Sequence, residues 1–417
     1  MNQETLLSVR KLAPVAGWRA CLLAAAIPLL ASCHDDEVCC FSYTPVEVNK
    51  GLVAGNFTHN GHTSLIATST VVYNSGLNAG NLKAYLSSGA GSFASPALTA
   101  DGNDPLYLVA ADLNGDGFLD VISASYLDGS INVFMNNAQS PGSFAAPVML
   151  TSPGASQLAV ADLNGDGMPD IVSADFNVSL FIQTSPGVFA APLTLYTGGA
   201  NWVAVGDLNH DGAADIALTD AVGVKVLFHT GAAGSTTFAA PVSVFTQTPN
   251  SFVQGANIVA IADVNGDGYG DLIITDPGPD GGMAPTVSVL LQDATHPGTF
   301  LPAVAYAMPS QNLALSIAVT DVNGDGHPDI VIGGSSQVAV LLQDAGHPGT
   351  FLAATAYDAP STTEVTVADV NGDGLPDIVV NMGPTQSTAN GVITNSPGVL
   401  LQSASMRGSF GTLQALP

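Results

Sequence analysis

Basic residues are almost missing from this chain. Seven Lys and Arg face 34 Asp and Glu across 417 residues, a formal net charge of −27. Three of the seven, Arg10, Lys11 and Arg19, lie at the N-terminus, so Lys50, Lys83, Lys225 and Arg407 are all that remain downstream. A surface this acidic repels phosphate backbones, which excludes nucleic acid as a partner. It also opposes direct contact with anionic lipid. Cysteine is scarce too. Cys21 and Cys33 belong to the N-terminal segment and Cys39 and Cys40 are adjacent to one another, where an oxidising compartment could pair them with each other or with another chain. No disulfide framework is available to hold the body together. The repeats show no helical period, and the one long apolar stretch, 20–30, is too short to span a bilayer comfortably. Aromatics make up 6% of the chain, yet 47% of it is hydrophobic and runs of Val, Ile, Leu and Ala recur at strand length, so it is not a disordered acidic chain.

What is present begins with a leader. A basic start, an apolar stretch and Leu30-Ala31-Ser32-Cys33 resemble a bacterial lipobox. That resemblance implies a signal peptide over 1–32, cleavage before Cys33 and lipidation of Cys33, followed by a tether over 33–50. Several acyl chains would anchor the protein firmly. His34 rather than Asp follows Cys33, which by analogy favours the outer membrane of a bacterial cell envelope. The membrane is then touched only through the lipid anchor.

Six times the chain spells Asp-x-Asn-x-Asp-Gly-x-x-Asp. Positions 1, 3, 5 and 9 are Asp112, Asn114, Asp116 and Asp120 in the first copy and Asp162, Asn164, Asp166 and Asp170 in the second. They are Asp207, Asn209, Asp211 and Asp215 in the third, and Asp263, Asn265, Asp267 and Asp271 in the fourth. The last two copies give Asp321, Asn323, Asp325 and Asp329, then Asp369, Asn371, Asp373 and Asp377. Three carboxylates in nine residues repel one another unless a cation sits among them, and dense hard oxygens suit Ca²⁺. Position 6 is always Gly, which permits a tight turn. Position 7 varies (Phe118, Met168, Ala213, Tyr269, His327, Leu375), as expected of a ligand that offers its backbone carbonyl. An EF-hand would need Glu at position 12 and flanking helices. Position 12 is Ser123, Ser173, Leu218, Ile274, Ile332 or Val380, and the flanks are strand-like. Metal-free Asp/Asn hairpin turns are the competing reading; six copies with three acids each favour about six Ca²⁺ sites.

The loops recur at intervals of 50, 45, 56, 58 and 48 residues, the period of a propeller or solenoid. In 107–150, two apolar strands flank the loop, 131–136 alternates as a third strand and 144–150 follows a Ser-Pro-Gly turn as a fourth. Four short strands per unit read as a propeller blade. The fourth segment opens with Phe at 93, 144, 189, 238, 300, 351 and 410. Three copies continue to Pro, which suits an outer edge strand. A seventh unit with a decayed loop (Asn56, Thr58, Asn60, Ser64) precedes the others and is expected to bind metal weakly or not at all. The expected fold is all-β, a seven-bladed β-propeller of four-stranded antiparallel blades over 51–417. Residues 41–48 resemble one more fourth strand, which closes the ring or lies outside it.

The loop, the blade length and the Phe-x-x-Pro segment resemble FG-GAP/VCBS repeats, the units of the integrin α-subunit propeller. The resemblance covers roughly 51–417. It implies seven blades with Ca²⁺ in the hairpin between the first two strands of a blade; an integrin partner subunit is not implied. The first blade departs from the pattern by its missing acids.

In such a ring the metal loops crowd one face, leaving the other for ligands. Its connections hold Tyr73, Tyr107, Tyr126, Phe176, Tyr196, Trp202 and Phe252, which suit a sugar or a protein loop unless they pack between blades. The expected function is recognition or adhesion with a protein or carbohydrate ligand. The rival is a polysaccharide lyase or glycosidase, for which Asp101, Asp104, Asp128, Asp220 and Glu364 are the non-loop acids. The histidines argue against an enzyme, because His296 and His347 fill equivalent turns and His62 and His327 the same loop position.

Overall fold

The computed structural model describes residues 46–72, 78–102, 104–125, 128–152, 154–232, 234–246, 258–277, 285–309, 313–359, 362–382, 386–387, 393–394 and 397–416. All fall within one compact unit, Thr44–Pro417. The leader, Cys33, Cys39 and Cys40 lie outside the described residues, as do Tyr73, Tyr126 and Phe252.

Every regular element of the described residues is a strand, and seven antiparallel sheets of at least four strands form the blades. Blade 1 begins with Val46–Gly55 and Ser64–Val72 and continues with Asn78–Tyr85 and Ala97–Ala100. Blade 2 is Pro105–Ala111, Asp120–Ser125, Ser130–Phe134 and Val148–Thr151. Blades 3 to 7 repeat this order, each built from consecutive stretches of chain. The first strands of neighbouring blades touch all the way round, so they form the innermost ring and line the channel.

Burial follows from that placement. Second and third strands such as Asp120–Ser125 and Ser130–Phe134 are buried at every residue, whereas the fourth, Val148–Thr151, is largely exposed. Alternate residues of one strand face opposite neighbours. Val121 and Phe134 pack with Phe57, Ile66 and Leu82 of blade 1, while Ile122, Ile131 and Val133 pack with Leu158, Ile171 and Phe181 of blade 3. Both faces of each blade are therefore core, which explains the near-continuous apolar runs; each buried Val or Ile contributes about 1.5–3 kcal/mol.

Two expectations change. The Phe that opens the fourth segment is not part of that strand. Phe144, Phe238, Phe300 and Phe351 make isolated bridges to Asn136, His229, Gln292 and Gln343, and the outer strand resumes later, directly after Pro147 and Pro241 in blades 2 and 4. Residues 46–48 are not a separate fourth strand either: Val46–Asn49 pair with Ser69–Val72 and extend the first strand of blade 1 outward.

The ring closes with the four main strands of every blade drawn from that blade's own stretch of chain. Blade 7 is built from Thr362–Ala368, Asp377–Met382, Gly398–Leu400 and Gln414–Ala415. Its Val370, Val379 and Val399 pack on Leu52, Leu65 and Tyr85 of blade 1. Asn381 Nδ2 donates to Gly51 O at 3.0 Å. A parallel bridge joins Val46 to Ile393, in the insertion before the third strand of blade 7.

Candidate metal loops

All six aspartate loops join the first strand of a blade to its second, on one face of the ring. Each is wound by its own backbone. The position 1 carboxylate takes the N–H of the position 6 Gly, as in Gly117 to Asp112 Oδ2 at 2.8 Å, in every copy. Asn Oδ1 at position 3 accepts the position 5 N–H, and position 5 Oδ1 accepts the position 7 N–H, again in all six. Gly117 has φ 87°, and the other position 6 glycines match it. That left-handed conformation is why Gly is needed there.

The position 9 Asp is fully buried in every copy, at the root of the loop. Its two oxygens are held separately: Asp120 Oδ2 accepts Leu113 N–H at 3.0 Å and Oδ1 accepts Asn136 N–H at 2.7 Å. Burial pushes Asp120, Asp170, Asp215, Asp271 and Asp329 up to about 6; the backbone N–H bonds oppose this, and the neighbouring Asp charges of the loop add to it. Asp377 is raised for the same reasons.

A second clamp lies at the end of the third strand. Here Asn136, Gln183, His229, Gln292, Gln343 and Gln402 give their backbone N–H to the position 9 Asp. Several side chains then tie loops together. Gln183 Nε2 donates to Leu113 O of the preceding blade at 2.9 Å, and Gln343 Nε2 to Pro328 O of its own loop at 2.8 Å. In the sequence these six residues stand at the same place after the third strand, as Asn, His or Gln. His59 and His210 fill position 4 with φ of 52° and 58°, where the other loops use Gly. Each packs on the position 7 ring of the next blade, His59 stacked on Phe118 at 4.2 Å between ring centroids and His210 tilted against Tyr269 at 4.4 Å.

As they stand, no three Asp, Glu, His or Cys side chains among the described residues gather closely enough to share a metal ion. The donor chemistry nonetheless fits Ca²⁺. Every ligand offered is a hard oxygen, and a carboxylate provides about four lone-pair positions. Asp116 and Asp120 use one hydrogen bond per oxygen, so acceptor capacity is left over.

The first blade supplies the internal control. Its loop keeps the backbone path, with His59 and Gly61 at positive φ in positions 4 and 6. Asn60 Oδ1 accepts His62 N–H at 2.9 Å, as Asp116 Oδ1 does for Phe118, and Ser64 Oγ accepts Ser87 N–H at 3.0 Å, as Asp120 Oδ1 does for Asn136. Neutral side chains suffice for the turn.

The opposite face corrects the aromatic expectation. Tyr107 and Trp202 are not a surface platform; they meet edge to face at 5.5 Å, with Trp202 buried. Tyr196 donates its hydroxyl to Asp220 at 2.8 Å, and Asp220 also pairs with Lys225. Phe176 alone of the four described rings is exposed, at 52%. Of the non-loop acids, Asp101 is fully buried and accepts bonds from Ser123 Oγ at 2.6 Å and Asn132 Nδ2 at 3.0 Å. Glu364 lies in the channel.

Seven blades, each carrying one such hairpin loop, define a propeller of the loop-repeat class. The family pattern described as the FG-GAP-like repeat matches residues 56–123, 112–173, 162–218, 207–274, 263–332 and 321–380, and the chain belongs to that family. Each match runs from position 1 of one loop to position 12 of the next. No curated protein matches the sequence. Among solved structures, the chain is similar to an Agrocybe aegerita lectin recognising non-reducing terminal N-acetylglucosamine, at 20% identity and a TM-score of 0.51 over 75% of this chain and 80% of that one. The V. cholerae biofilm matrix protein Bap1 is similar at 12% identity and a TM-score of 0.42, over 85% and 87% of the two chains. A putative 6-phosphogluconolactonase from Bacteroides uniformis is similar at 13% and 0.49, over 74% and 85%. At these identities the likeness shows the fold alone.

Proposed function

We propose that the protein is a calcium-binding, lipid-anchored recognition module of a bacterial cell envelope, with a protein or carbohydrate ligand. The observation that carries the calcium reading is the first blade. Its neutral loop makes the same turn, so the carboxylates of the other six loops exceed what the turn requires. Two like charges 4 Å apart repel by about 1 kcal/mol in water and about 4 kcal/mol at an effective dielectric of 20. A divalent cation turns that repulsion into attraction. In each loop the side chains at positions 1, 3, 5 and 9 and the carbonyl at position 7 would hold the ion, which contributes by neutralising the loop. The decayed loop of blade 1 holds none.

Calcium then acts as the staple that cysteine does not provide, fixing one face of the ring and leaving the other for ligand. Two of the five non-loop acids favour recognition over catalysis. Asp101 is sealed from solvent and Asp220 is neutralised by Lys225, so neither is placed for acid-base work on a polysaccharide. Glycan enters as a ligand class because the Agrocybe aegerita lectin uses this fold for N-acetylglucosamine. Glycan-array and envelope-protein pull-down experiments test recognition, and silence in both would contradict it. Anchoring at Cys33 predicts incorporation of labelled palmitate that Cys33→Ser abolishes; an unlabelled wild-type protein would rule the anchor out.

A further inference from the structure

Aligned on their loops, the seven first strands differ at one level. Four residues before the first residue of each loop the side chain is always aliphatic, from Leu52 and Leu108 through to Val365, and the next three are small or aliphatic apart from Thr320 and Thr366. Five residues before it, no two blades agree. Blades 2, 3, 4, 6 and 7 carry Tyr107, Gln157, Trp202, Ser316 and Glu364, with Gly51 in blade 1 and Ile258 in blade 5. Seven-fold symmetry is broken in this belt, at the end of the channel away from the metal loops.

The belt is rich in acceptors that lack donors. Glu364 is 8% exposed and lines a cavity of about 360 Å³ together with Tyr107. Burial pushes its carboxyl well above the usual carboxylate range, against the bond from the Val365 N–H, and no cation among the described residues pairs with it. Gln157 Oε1 and Ser316 Oγ, at the same level, are buried without a hydrogen-bond partner, as is Asn381 Oδ1 on the strand paired with Glu364. Tyr107 is close enough to Glu364 for the carboxylate to add to the upward pull of burial on its hydroxyl. Trp202 packs on the edge of that ring and holds it. Holding the Glu364 carboxyl ionised there without a partner would cost several kcal/mol. A positively charged ligand in the cavity offsets that cost, and the aromatic ring beside the carboxyl favours a cation further.

We propose that this end of the channel binds an organic ammonium ion, with Glu364 as its counter-charge, Tyr107 as its aromatic wall and the aliphatic channel lining around its alkyl part. The inference deepens the recognition reading and rests on it only for the choice of face. Calorimetric titration of the full chain in calcium buffer, using n-butylammonium and the neutral n-butanol, tests it. The expected result is one saturable site for the amine, none for the alcohol, and affinity weakened about ten-fold or more in Glu364→Gln. The acidic surface attracts any amine weakly, so this variant separates the belt from the background. Glu364→Gln is nearly isosteric with the protonated carboxyl and should melt close to the wild-type temperature, and thereby shows that lost binding is not lost folding. No saturable binding at tens of millimolar, equal binding of butanol, or unchanged affinity in Glu364→Gln would each overturn the proposal. Failure here alongside a positive glycan array would remove the ammonium site and leave recognition standing.

Discussion

At the scale of single residues, the position 9 aspartates and Asp101 have the same burden: a carboxylate with little or no access to water. Burial pushes Asp101 up to about 6, against the bonds from Ser123 and Asn132, and the Asp128 charge adds to the rise. An acid whose folded value is raised binds its proton more tightly in the native state, so stability is lost as pH rises from its unfolded value through about 6. The rise corresponds to up to about 3 kcal/mol. Asp101→Asn keeps an acceptor for Ser123 and Asn132 and removes the titration. Its stability relative to wild type should therefore improve between pH 4 and pH 7 by about that much, read by denaturant unfolding at each pH; a constant difference would show that Asp101 does not titrate in this window. The sequence announced the six aspartate loops because they repeat, but it could not announce the environment of Asp101 or the packing of Tyr107 against the buried Trp202. Those depend on which neighbour a side chain meets, and no period in the chain encodes that.

At the scale of elements, the strand-loop-strand hairpin was legible because both of its signals are local: alternation in the strands and fixed oxygens in the loop. The fourth strand was less legible. Phe144 belongs to a bridge with Asn136, and Pro147 delays the ladder, so the apolar run over 144–150 reads as a longer strand than the one that forms. The Gln clamp went unexplained because its partner, the position 9 carboxylate, is 14 residues away in blade 6 and 25 in blade 7. Gln343→Ala should cost about 1–3 kcal/mol, since Pro328 O and Gly349 N–H both lose a buried partner; a loss under about 0.5 kcal/mol would make the clamp ornamental. The decayed loop offers a test by construction. Asn56→Asp, Thr58→Asn, Asn60→Asp and Ser64→Asp together rebuild the six-copy pattern on a backbone that already follows it. The quadruple variant should bind one calcium more than wild type and become less stable than wild type when calcium is removed. An unchanged stoichiometry would show that the loop pattern is not sufficient.

At the scale of the molecule, seven blades were countable from spacing alone, whereas the manner of closure was not. Closure depends on Asn381 reaching Gly51, 330 residues earlier, and on Val379 and Val399 packing against Leu52, contacts that no local pattern predicts. The belt in the channel was hidden for a different reason: it is visible only when the seven strands are laid in register and compared column by column. Repeats that contact mainly their neighbours make damage local. Asp116→Ala should accordingly remove one calcium and destabilise blade 2 while the other five loops stay loaded. Whether divalent ions sit among the clustered aspartates is decided by calcium stoichiometry combined with a thermal scan in excess calcium and in EDTA. The expected result is about six calcium ions per chain and a melting temperature about 10 °C or more lower in EDTA, because each site held at a hundred times its dissociation constant contributes about 2.7 kcal/mol. A protein that carries no calcium at millimolar concentrations and melts identically in both buffers would contradict it.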